Sequence, residues 1–104
     1  MTADFSVTVQ IEKNTLLIIT SGYINNLGGE KILKSFQDNF SDAVNKVIID
    51  LENSKVVNSI GISFLIEIIE VISESNSKLY FTKLEPTVKK TFEIMGLLDY
   101  AEII

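Results

Sequence analysis

The chain has 104 residues, 46% of them hydrophobic and 22% charged, with a formal net charge of −5. That is enough apolar material for one packed core and too little length for a second, so one folded domain is expected and disorder is not. Its nine Lys and Arg residues are scattered, which argues against nucleic acid or an anionic membrane as partner, and the absence of Cys and His removes disulfides, thiolate catalysis, Cys-ligated metals and the commonest general base.

The first ten residues, MTADFSVTVQ, lack the basic start and apolar centre of a signal peptide. No uncharged run reaches the roughly 18 residues that a bilayer span requires. Cytoplasmic residence is the expectation.

From Phe5 to Ile11, FSVTVQI alternates, with Phe5, Val7, Val9 and Ile11 on one face, and predicts a half-buried strand. EKN offers turn chemistry, and TLLIITS, Thr15 to Ser21, reads as a second strand paired with the first as a hairpin. After the loop GYINNLGG, the stretch Glu30 to Phe40 places Ile32, Leu33, Phe36 and Phe40 on one face of a helix, with Lys31, Lys34 and Asp38 largely outside it. KVIIDL, Lys46 to Leu51, is a continuous apolar run of the kind found in a strand covered on both faces.

VVNSIGISFLIEIIEVI, Val56 to Ile72, predicts a second helix. Ser63, Glu67, Glu70 and Glu74 form one narrow polar stripe on an otherwise apolar circumference. Such a helix is either mostly buried with a thin wet edge, or partly buried with an apolar flank for a partner. At its start Ser59 is a preferred N-cap, Asn58 supports the preceding turn, and Gly61 permits close backbone approach or a special dihedral.

KLYFT, Lys78 to Thr82, reads as a further strand. EPTVKKTFEIMG reads as a third helix, started by Pro86, with Val88, Phe92 and Met95 along one face and Gly96 as stop signal. AEII adds a short terminal edge strand. Alternation from the third element onward predicts an α/β layered domain with right-handed crossovers and some parallel pairing.

Three motifs in this order resemble the STAS domain family, in the form found in bacterial anti-sigma factor antagonists, and the resemblance covers nearly the whole chain. NSIGI, Asn58 to Ile62, is similar to the family's Asp-Ser-Ser/Thr-Gly-Leu/Ile loop; VKKTFEIMGL, Val88 to Leu97, to its VKRLFDMSGL-like helix; GYIN, Gly22 to Asn25, to its Gly-Glu-Leu/Ile-Asp turn. The resemblance implies a single STAS-type domain over residues 1–104, with a mixed four- to five-stranded sheet packed with three to four helices. It implies a binding module without cofactor or metal, held by an anti-sigma factor that is also a serine kinase, with a phosphatase as a further candidate partner, in a monomer or weak dimer. Ser59 falls on the family's phosphorylated Ser, with Ile60 and Gly61 on the two positions after it. Asn58 and Asn25 stand where acids are usual, and Tyr23 where Glu is frequent; Asn keeps the shape and hydrogen bonding of Asp but removes its charge.

The two Asn-bearing turns follow strands expected to end on one side of the sheet. The expected partner surface therefore comprises Asn25, Asn26, Asn58, Ser59, Ile60, Gly61 and Ser63. An enzyme is the first rival reading, but Asp50, Glu52, Glu67 and Glu70 are spaced as a strand end and a helix surface, with no nucleophile–base pair in sight. The second rival is a scaffold or small-ligand-binding version of the same fold, in which Ser59 carries no phosphate.

Overall fold

The computed structural model describes residues 5–104. Two strands, β1 (Ser6–Glu12) and β2 (Thr15–Ser21), precede α1 (Asn26–Asn39), β3 (Lys46–Asn53), α2 (Ser59–Ser73), β4 (Lys78–Thr82), α3 (Pro86–Ile94), a 3₁₀ turn at Leu97–Asp99, and β5 (Glu102–Ile103). The sheet order is β1-β2-β3-β4-β5; the β1–β2 hairpin is antiparallel and every later pairing is parallel. This is an α/β fold, a five-stranded mixed sheet with three helices. Three successive crossovers each advance the chain by one strand, so the C-terminal ends of β2, β3 and β4 lie at one end of the molecule.

The register decides where the core sits. Leu16, Val47 and Leu79 are cross-strand neighbours, as are Ile18, Ile49 and Phe81, and all six are buried. Ile32 and Phe36 of α1, Leu65, Ile68 and Ile72 of α2, and Val88 and Phe92 of α3 join them in one cluster, with the Phe92 ring edge-on to Phe81 at 4.9 Å. Gly29 lets α1 approach α2 closely, because a Cβ there would press on the Phe64 ring.

Four sequence expectations are corrected. The continuous apolar run of β3 does not mark a strand covered on both faces. The helices share one face, and on the other Leu17, Ile48 and Tyr80 are only half-buried, with the Lys46 ammonium 5.0 Å from the Tyr80 ring centre. Ile11 is exposed although it continues the alternation of Val7 and Val9, because it lies on an edge strand beside the hairpin turn. The first helix starts at Asn26, four residues before Glu30, with Gly28 and Gly29 inside it. Met95 caps α3 from outside and is exposed, since Gly96 at φ 82° turns the chain there.

Candidate functional site

Pairing between β2 and β3 is interrupted at Thr20, where the register shifts. The buried Thr20 hydroxyl donates to the Asp50 carbonyl at 3.0 Å and lies 2.7 Å from the Ser54 hydroxyl. Thr20 has one proton and gives it to Asp50, so Ser54 is the donor in the second bond. This pair, both members fully buried, fixes the start of the β3–α2 loop against β2.

Beyond the strand ends, the two loops continue the pairing. The Gly22 amide donates to the Asn53 carbonyl at 2.9 Å, Ile24 to Val56 at 3.0 Å, and Asn58 back to Ile24 at 3.1 Å, with an isolated parallel bridge between Ile24 and Val57. Ile24 is fully buried under this zipper. Gly61 closes it: a Cβ at that position would overlap the Ile24 carbonyl oxygen, so only glycine lets α2 begin this near the β2–α1 loop.

Two helix N-termini are therefore set side by side, and they are capped alike. Asn25 Oδ1 accepts the Gly28 amide at 3.0 Å, and Asn58 Oδ1 accepts the Gly61 amide at 2.8 Å. The expectation that Ser59 caps α2 is corrected. Asn58 has the extended backbone of a cap, at φ −119° and ψ 174°, while Ser59 is the first helical residue and is exposed. Asn58 caps because it precedes the first helical residue, where its Oδ1 reaches forward to the amide three residues on. Neither helix has an acid in its first turn, so the positive ends of both dipoles are left uncompensated.

Of the residues expected from sequence, Asn25 and Asn58 are half-buried caps, Asn26, Ser59, Ile60 and Ser63 are exposed, and Gly61 is buried. The Ser63 hydroxyl donates to the Ile60 carbonyl, one turn back along α2. The loop zipper brings Asn25 next to Asn58. Sequence reasoning missed three apolar neighbours: Tyr23 is 46% exposed, Leu27 51% and Val56 56%, comparable with Ile60 at 54%. A signal was present, since NNLG and NSIG share one pattern, a capping Asn, a polar residue, a large apolar one and a glycine.

The carboxylates weighed for catalysis are accounted for otherwise. Asp50 Oδ2 lies 3.4 Å from the Lys83 ammonium and Glu52 3.8 Å from it, while Asp50 Oδ1 accepts the Glu52 amide. Glu67 and Glu70 lie on the wet stripe of α2. Among the described residues no cluster of metal-ligating side chains occurs, and no helix is long and apolar enough to cross a membrane. What the site offers is an accessible hydroxyl at a helix N-terminus, with exposed apolar side chains on the two paired loops and the first turns of both helices.

Residues 6–104 match the STAS domain family. Among solved structures, the chain is similar to an anti-sigma factor antagonist from Mycobacterium paratuberculosis, with 15% identity and a TM-score of 0.83 over 99% of this chain and 89% of that one. It is similar also to the anti-sigma factor antagonist SpoIIAA in its unphosphorylated form, with 16% identity and a TM-score of 0.76 over 95% of this chain and 87% of that one. The phosphorylated form of SpoIIAA, a Bacillus cell fate determinant, gives 18% identity and a TM-score of 0.74 over 95% and 91%. No curated protein matches the sequence significantly.

Proposed function

The chain belongs to the STAS domain family, and we propose that it is an anti-sigma factor antagonist, a non-catalytic cytosolic module that binds an anti-sigma factor with serine kinase activity and releases it when Ser59 is phosphorylated. The observation that carries this reading is the position of Ser59. It is the first residue of α2, exposed, and not used as the cap, and the paired loops and first helical turns of the same site carry the exposed apolar Tyr23, Leu27, Val56 and Ile60.

The physics of a switch follows from that placement. A phosphate adds about −1.5 to −2 charges. In the free protein those charges lie at the positive end of α2, beside a second helix N-terminus, with no acid in either first turn to repel them. The fold therefore accepts the modification without rearrangement. In a complex the same group is buried at the partner surface, and leaving it unpaired there costs several kcal/mol. A net penalty of about 3 kcal/mol weakens binding by roughly a hundredfold.

The neutral caps bear on this too. Asn58 and Asn25, in place of the usual acids, leave α2 and α1 capped but remove two charges from the partner surface. Recognition then rests more on the exposed apolar side chains than on ion pairs. A pull-down with Ser59→Ala and Ser59→Asp forms tests the reading: a partner held by the first and lost by the second supports it, and a partner held equally by both favours the scaffold reading.

A further inference from the structure

The two edges of the sheet are treated differently. At one, β5 is two residues long, so little open backbone is offered there. At the other, β1 runs for seven residues in unbroken register with β2, and among the described residues nothing pairs with its outer side. Edge strands are normally guarded by Pro, Lys, bulges, inward charges or a covering element. β1, SVTVQIE, has none of the first three, and its one charge is the terminal Glu12.

The hairpin fixes which groups face outward. Lys13 and Asn14 form a two-residue turn between the paired residues Glu12 and Thr15, which makes that pair the closing hydrogen-bonded one. Even-numbered residues of β1 therefore bond β2, and Val7, Val9 and Ile11 direct their amides and carbonyls to the open edge. The Lys31 ammonium, 3.1 Å from the carbonyl oxygen of Phe5, already occupies the edge just before the strand. Ile11 is 56% exposed, and Val7 and Val9 are half-buried.

We infer that β1 is a self-association edge, pairing antiparallel with β1 of a second copy about a two-fold axis at Val9. The sequence is self-complementary in that register. Val9 meets Val9 and Val7 meets Ile11, giving a wholly apolar ladder on the helix side that covers Ile11. On the other side Thr8 meets Gln10 and Ser6 meets Glu12, so no like charges are opposed. The three outward residues of each copy supply about six backbone hydrogen bonds. The result is one continuous sheet across two copies, with the helical layers on the same side and the two Ser59 surfaces at opposite ends, free for a partner each.

Sedimentation velocity from about 10 µM to about 1 mM, with hydrogen exchange at both limits, tests this for a small, weak interface. A reversible dimer is expected, with exchange at Val7, Val9 and Ile11 slowed at high concentration. Val9→Pro, which removes the central outward amide, and Ile11→Lys, which puts a charge in the apolar ladder, should each raise the dissociation constant at least about tenfold. Leu27→Ser, at the other surface, should leave it unchanged. A monomer at the highest concentration overturns the inference, and so does a dimer insensitive to Ile11→Lys, which decides the matter should Val9→Pro not fold.

Discussion

The Cα of Gly61 packs against the carbonyl oxygen of Ile24 so closely that a Cβ on residue 61 would overlap it. That oxygen also accepts the Asn58 amide at 3.1 Å, so the start of α2 and the β2–α1 loop are held by contact and hydrogen bond at one point. Gly61→Ala must push the two apart. A loss of about 1–3 kcal/mol in urea unfolding is expected, with weaker partner binding because the two paired loops that form the surface are pushed apart. An unchanged unfolding midpoint would contradict the packing.

Asn58 as the cap of α2 makes a second, separable prediction. Asn58→Ala removes the acceptor of the Gly61 amide and should cost about 1 kcal/mol. Asn58→Asp keeps the acceptor and adds a charge at the positive end of the helix, so stability at neutral pH should equal the parent's or exceed it by up to about 1 kcal/mol. Paired denaturation curves of the two variants check both signs. If Ser59 were the cap, Ser59→Ala would show the larger loss.

Thr20 and Ser54 should behave as one unit. Thr20→Val leaves the buried Ser54 hydroxyl and the Asp50 carbonyl without this partner, at a cost of about 1–3 kcal/mol. Ser54→Ala alone leaves Thr20 bonded to Asp50 and should cost less. In a double-mutant cycle the combined loss is expected to fall short of the sum, and strict additivity would show that the two hydroxyls do not interact.

How much of this was legible in the sequence depended on the range of the forces involved. Period and punctuation placed β2 and β4 to the residue, and the wet stripe Ser63, Glu67, Glu70 and Glu74 is exposed as its spacing required. The start of α1 was hidden because Gly28 and Gly29 look like loop residues, and only contact with neighbouring elements explains them inside a helix. Likewise KVIIDL reads as a two-faced strand, but which side the helices take is set by tertiary packing, not by the run itself. At the site, motif order singles out Asn25, Asn58 and Ser59 as candidates. The division of labour between a capping Asn58 and a free Ser59, and the exposure of Tyr23, Leu27 and Val56, emerged only from the backbone geometry of the paired loops.

The exposed apolar side chains of the site should separate binding from folding. Leu27→Ser and Ile60→Ser alter exposed side chains, so stability should move by no more than about 0.5 kcal/mol. Affinity for a partner captured with the Ser59→Ala protein should fall about tenfold or more for at least one of them. Binding that is unaffected by both, measured by calorimetry, would place the interface elsewhere.

The most direct measurement is incubation of the unmodified protein with that captured kinase and ATP, followed by intact-mass and peptide mass spectrometry alongside gel filtration of the complex. One added phosphate, on Ser59, with dissociation of the complex as it accumulates, is the predicted result. No phosphate on Ser59, or a complex that survives its phosphorylation, would contradict the switch.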